Sequence, residues 1–183
     1  MTYDYGKSLG WYLKHQPKRL DADFLLKLAT GVLQGLEAIH RCGILHLDLK
    51  PENVLIRPGV DPLLLDFGAA QPYGDADARN RPGKVRTPEF SSPEQYRRVF
   101  PLGPWSDLYA LGATLRTCLD LRPPPPAIDR LKCDVLKPAL RQYRDKYPYG
   151  LLKAIDQALQ LDPVQRPQSV AEFRHLLTAG AAR

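Results

Sequence analysis

Cysteine is scarce in this chain. Its three residues, Cys42, Cys118 and Cys133, stand far apart without a Cys-x-x-Cys spacing, which excludes a disulfide framework and a zinc finger or ribbon. Long hydrophobic runs are missing as well. Stretches such as Leu63 to Leu65 fall far short of the ~20 apolar residues that span a bilayer, and Met1 to Gly10 has no basic-then-apolar leader pattern. A cytoplasmic chain with no membrane partner is therefore expected. Lys and Arg outnumber Asp and Glu by 26 to 20, a net charge of +6. These basic residues are scattered without the aromatic interleaving that single-stranded nucleic acid would require, so no nucleic-acid partner is expected. No internal repeat is present. Between Gly68 and Arg86 there is no serine or threonine, and Tyr73 is the only hydroxyl.

What is there suits one soluble domain: 183 residues, 44% hydrophobic and 25% charged, enough for a sizeable core. From Ala22 to Cys42 the apolar residues Leu25, Leu28, Ala29, Val32, Leu36 and Ile39 recur at helical spacing. Asp21 or Asp23 can cap the start and Gly43 the end. A loop, Leu45 to Glu52, leads to two short apolar runs, Val54 to Ile56 and Leu63 to Leu65. The turn-forming segment Arg57 to Pro62 separates them, which predicts a hairpin. Gly68 to Arg86 is polar and aperiodic and reads as a loop. Ser106 to Leu119 is apolar enough for a buried helix, Pro123 to Pro126 is a stiff connector, and two amphipathic helices follow at Gly150 to Leu161 and Ser169 to Leu177.

The chemistry is concentrated in His46-Leu-Asp48-Leu-Lys50-Pro-Glu-Asn53 and, beyond the expected hairpin, Asp66-Phe67-Gly68. Asn53 immediately precedes the first predicted strand and Asp66 follows the second, so antiparallel pairing brings both to one end of the hairpin. A carboxylate and an amide carbonyl on a rigid support are hard oxygen donors suited to Mg2+, which fills the rest of its shell with waters and phosphate oxygens. Asp48 and Lys50 lie on the loop entering that end. A carboxylate there can accept a proton from a hydroxyl, and an ammonium beside it can neutralise a transferring phosphate. Taken singly, His46 reads as a packed core residue, Lys50 as surface, and Asp48 and Asp66 as surface or turn carboxylates.

These motifs resemble those of the protein kinases, and the resemblance runs over nearly the whole chain. It implies a mainly α fold, the kinase C-terminal lobe: a helical bundle with a small β-hairpin carrying the catalytic and metal-binding loops. It implies Asp48 as catalytic base, Lys50 as partner of the terminal phosphate, Asn53 as catalytic-loop residue and second metal ligand, and Asp66 as principal metal ligand. Asp4, Gly6 and Leu55 would hold adenine, and ATP, Mg2+ and a protein substrate are the implied cofactors and partners. Lys50 two residues after Asp48 favours serine/threonine over tyrosine specificity.

By the same resemblance, Thr87-Pro-Glu-Phe-Ser-Ser-Pro-Glu94 closes an activation segment over 66–94, and Thr87 would hydrogen-bond the catalytic loop of 45–53. Glu94 would form a buried ion pair with Arg166. Asp107, on a central helix over 104–119, would tie down the catalytic-loop backbone, and a helical subdomain would occupy 127–178. Residues 1–10 would be the remnant of the hinge, and the N-terminal lobe with its Gly-x-Gly-x-x-Gly loop and strand lysine is absent. A truncated kinase, inactive alone, is thus one expectation, with a complementing lobe or self-association through the exposed inter-lobe face. A non-catalytic kinase-like binding module is the other. Leu47 stands where regulated kinases carry an arginine that receives a phosphorylated activation loop, which agrees with the want of hydroxyls in that loop.

Overall fold

The computed structural model describes residues 5–74, 86–96 and 100–179. Helix α2 (Ala22–Arg41) organises the fold. Asp21 caps it by accepting the Phe24 N–H at 2.9 Å, and Gly43, in the left-handed region at φ 70°, ends it. Its apolar face, from Leu25 through Leu36, is buried; at about 1.5–3 kcal/mol for each large side chain, that face outweighs intrinsic helix propensity. Against it lies α3 (Pro104–Asp120), in which every residue from Ser106 to Leu119 is buried. A helix enclosed on all sides must find partners for its polar groups within the protein; Thr114 Oγ1 finds none among the described residues, whereas the large buried cation does. Arg116 donates to Asp120 Oδ2 at 2.8 Å, to the Lys137 carbonyl at 2.7 Å and to Gln142.

The hairpin pairs β3 (Val54–Arg57) with β4 (Asp61–Leu64), Val54 opposite Leu64. Its turn is tighter than the sequence suggests, because Pro62 lies within β4, opposite Ile56. Strand β4 is at the edge of a three-stranded sheet in which β3 lies between it and β1 (Lys7–Ser8), a position where proline's missing N–H is tolerated. The hairpin sits directly on α2. A Cβ added at Gly31 would come 2.4 Å from the Pro62 ring, and one at Gly35 would come 3.0 Å from Leu64 Cδ1. Two glycines one turn apart thus open a groove in the helix for β4.

Residues 7–10 carry regular structure. Lys7–Ser8 forms β1, paired with β3, and Leu9 and Gly10 open helix α1 (Leu9–His15). Ser8 caps that helix by accepting the Trp11 N–H at 3.2 Å. The expected loop after Gly68 also contains a strand, β5 (Gln71–Pro72), paired with β2 (Ile44–Leu45). Beyond α3, residues 127–178 contain α4 (Ala127–Arg130), α5 (Ala139–Tyr143), α6 (Tyr149–Ala158) and α7 (Val170–Thr178). Among the described residues no helix is long and apolar enough to cross a membrane.

Candidate active site

The open end of the hairpin gathers the site. The Leu65 N–H donates to the Asn53 carbonyl at 2.9 Å, one rung past the last strand pair, so Asn53 and Asp66 leave the hairpin at the same end. Asn53 is buried; its amide nitrogen donates to the Asp48 carbonyl at 2.8 Å and to Asp48 Oδ2 at 3.0 Å. That orientation leaves its amide oxygen without a hydrogen bond from the described residues. Asp66 is exposed and left-handed, φ 60°, a conformation aspartate tolerates because its short side chain bonds locally. Here Oδ1 accepts the Gly68 N–H at 3.1 Å.

Asp48 is 6% exposed, and both of its carboxylate oxygens are engaged. Oδ1 accepts the Thr87 hydroxyl at 2.8 Å, and Oδ2 accepts Lys50 Nζ at 2.8 Å. Lys50 also donates to Thr87 Oγ1 at 3.2 Å. Aspartate, lysine and threonine therefore close a ring that joins the catalytic loop to the end of the segment following Asp66. Gly6 and Leu55 adjoin, since a carbon added at Gly6 would stand 3.0 Å from Leu55 Cγ. Asp4 lies outside the described residues.

The loop is held from beneath by Asp107. Its Oδ2 accepts the His46 N–H at 2.9 Å and His40 Nε2 at 2.8 Å, and Oδ1 accepts the Leu47 N–H at 2.8 Å. His46 is fully buried, donates Nε2–H to the Leu65 carbonyl at 3.1 Å, and lies 5.0 Å, centroid to centroid, from the Phe67 ring. Its place is structural.

Leu47 adopts φ 63°, a left-handed conformation that costs a branched residue roughly 1–2 kcal/mol. Three contacts sustain it: Asp107 on its N–H, Gln95 Nε2 on its carbonyl at 3.0 Å, and a small apolar cluster with Leu45, Ala69, Tyr73 and Leu102. An aliphatic side chain thus fills the position where the resemblance would place a phosphate-receiving arginine.

His40 and Gln95 are absent from the reading of the sequence. Gln95 had a signal: Ser92-Pro-Glu-Gln95 has capping-box spacing, and Gln95 Oε1 accepts the Ser92 N–H at 2.9 Å. His40 had none, being one more residue of a long helix.

Glu94 and Arg166 anchor the far end of this segment with two hydrogen bonds, 2.7 and 3.0 Å. Glu94 Oε1 also accepts the Ser106 hydroxyl at 2.7 Å, and Arg166 donates onward to the Gln160 and Leu161 carbonyls at 2.7 and 3.0 Å.

The oxygens of Asn53 and Asp66 have the chemistry of a magnesium site. Among the described residues no three His, Cys, Asp or Glu converge to cage a metal, so a cation here would draw the rest of its shell from water and phosphate, as Mg2+ does.

A helical body with one hairpin set against its central helices, and the two motif loops at that hairpin's open end, has a protein-kinase-like fold. A family model for the protein kinase domain matches residues 1–177, and the chain belongs to that family. It is 31% identical over 180 residues to the serine/threonine-protein kinase PknK of Mycobacterium tuberculosis, which covers 94% of this chain and 16% of that protein. It is 34% identical over 173 residues to the serine/threonine-protein kinase pkn2 of Myxococcus xanthus, covering 84% of this chain and 20% of that one. The solved structure of PpkA-294 in its apo form superposes with a TM-score of 0.82 at 31% identity, over 96% of this chain and 61% of that one. The chain thus spans about a fifth or less of the length of these two curated relatives.

Proposed function

We propose that the chain is the substrate- and metal-holding half of a serine/threonine protein kinase. The observation that carries this reading is the shared carboxylate of Asp48. One oxygen faces the Thr87 hydroxyl and the other faces Lys50 and Asn53, so a hydroxyl arriving at this carboxylate meets an acceptor already fixed in orientation. In this role Asp48 orients the substrate serine or threonine and takes its proton, while Lys50 neutralises charge on the phosphate being transferred. Asn53 and Asp66 would hold Mg2+, which supplies further neutralisation of the phosphates. Gly6 and Leu55, with Asp4, would hold the adenine of ATP.

No Gly-x-Gly-x-x-Gly segment occurs in the 183 residues. Turnover accordingly requires a nucleotide-gripping lobe, on this or another polypeptide, and the 183 residues by themselves should transfer phosphate negligibly. Phe67, 48% exposed, and the half-buried Leu55 are what such a lobe, or a second copy of the chain, would cover.

The test is transfer of labelled phosphate from ATP to serine or threonine peptides by the full-length product of the gene that encodes this chain. Transfer abolished by Asp48→Asn and by Asp66→Asn is expected. A product that binds ATP and Mg2+ yet phosphorylates no serine or threonine would show the lobe to be a binding module instead.

A further inference from the structure

Next to the Asp48 ring stands a cation that this ring does not use. Arg86 directly precedes Thr87, whose N–H donates to Ser91 Oγ at 3.0 Å and whose hydroxyl donates to Asp48 at 2.8 Å. Consecutive Cα atoms are about 3.8 Å apart, so Arg86 is one residue removed from the threonine that holds the carboxylate proposed to receive the acceptor hydroxyl. Its guanidinium is exposed and rests 5.2 Å from the centroid of the Tyr96 ring. This restrains the charge without neutralising it. Among the described residues Arg86 has no carboxylate partner, whereas Lys50 is bound to Asp48 and Thr87.

The Tyr96 phenol registers this charge. Burial raises the Tyr96 phenol above its ordinary pKa, and of the two charges acting on it the pull of Arg86 exceeds the push of Glu89. A guanidinium lying against a ring keeps in-plane N–H donors free, and their fork matches a carboxylate or a phosphate. The net charge of +6 adds long-range attraction for anionic peptides.

We propose that Arg86 is a specificity residue that selects substrates in which the acceptor serine or threonine is flanked by an anionic side chain, either a carboxylate or an already phosphorylated residue. The proposal rests on the kinase reading above and goes beyond it by naming the substrate class. Arg86 touches neither the reacting hydroxyl nor the metal ligands; its part is to favour one neighbouring residue over another.

The experiment measures binding of four labelled peptides to the full 183-residue chain by fluorescence anisotropy at low ionic strength. The peptides share one serine acceptor and differ in the flanking residue: glutamate, phosphoserine, alanine or lysine. The glutamate and phosphoserine peptides should bind about threefold to tenfold more tightly than the alanine peptide, with the lysine peptide weakest. The advantage should shrink as salt is raised. A gain confined to phosphoserine identifies a previously phosphorylated substrate as the source of the anion; a gain with both identifies the carboxylate as sufficient.

Arg86→Gln should flatten the ranking and Arg86→Glu should invert it toward the lysine peptide. Because the side chain is exposed, the melting temperature of both variants should match that of the parent. Equal binding of all four peptides, no binding by any, or a ranking that survives Arg86→Glu would overturn the proposal. The kinase reading is tested apart from this: a flat ranking beside intact phosphate transfer in the full-length gene product removes the acidic preference alone.

Discussion

Arg166 and Glu94 form a doubly hydrogen-bonded ion pair, 72 residues apart in sequence, in which neither side chain has any solvent exposure. The pair joins the end of the segment that starts at Asp66 to the turn before α7, and the Arg166 guanidinium lies 4.9 Å from the Tyr109 ring centroid. Removing either partner strands a buried charge. Arg166→Ala and Glu94→Ala should each cost about 3–5 kcal/mol in urea unfolding. The double variant should cost much less than the two losses summed, because no unpaired charge is then left.

Thr87 is held between Asp48 and Lys50. In the full-length gene product, Thr87→Ser keeps the hydroxyl and should retain most of the turnover, while Thr87→Val should lower kcat by freeing Asp48 Oδ1 from its partner. Asp48→Asn should lower kcat by roughly 10²–10⁴-fold, the span typical of a general base. Equal rates for Thr87→Val and Thr87→Ser would show that the hydroxyl does not position the base.

Leu47 packs into the cluster of Leu45, Ala69, Tyr73 and Leu102. Leu47→Ala should cost about 2–4 kcal/mol by the usual sum of transfer and cavity terms. Leu47→Arg, which restores the residue type of the phosphate-regulated kinases, should also destabilise, because the guanidinium would enter an apolar cluster without a carboxylate. A denaturation midpoint unchanged in Leu47→Arg would mean that this cluster yields to a charge.

The acid limb of stability carries a definite sign. The hydrogen bond from Arg130 holds Asp134 below its ordinary pKa of 3.8, and the hydrogen bond from Arg174 holds Glu37 below 4.5. For both, the unfolded chain binds protons more readily than the folded one. Their stabilisation is therefore complete above those ordinary values and is lost as pH falls through the lower folded-state values. Melting temperature measured from pH 6 downward should fall less steeply in Asp134→Asn and in Glu37→Gln than in the parent chain. An unchanged slope in both variants would show that these partners give no pH-linked stability.

Much of the fold is legible in the order of the residues. Helices α2 and α3 followed from the apolar spacing around Leu28 and Val32 and from the apolar density between Ser106 and Leu119, because burying those faces dominates their energetics. The hairpin and the shared exit of Asn53 and Asp66 followed from two short apolar runs flanking a turn. Strands β1, β2 and β5 did not, because two residues cannot show alternation. Helix α1 was missed although Ser8 has the right chemistry for an N-cap, since seven residues give a weak period. Pro62 has the local chemistry of a turn, because proline usually breaks a strand; the edge position of β4, which is a fact of sheet order, admits it. The left-handed backbone of Leu47 and the grip of Asp107 on two successive N–H groups come from tertiary contacts across some 60 residues, and no local pattern encodes them.

The seating of β4 in the groove made by Gly31 and Gly35 bears on how the molecule opens. With no helix side chain at either glycine, the Pro62 ring and the Leu64 side chain rest directly on the α2 backbone, so the hairpin has no partial retreat that keeps contact, and lifting it exposes the middle of α2 at once. Amide protons of β3, β4 and the second half of α2 should therefore exchange with solvent deuterium at one common opening free energy. Warming should leave Asn53 and Asp66 in register until helix and hairpin part together.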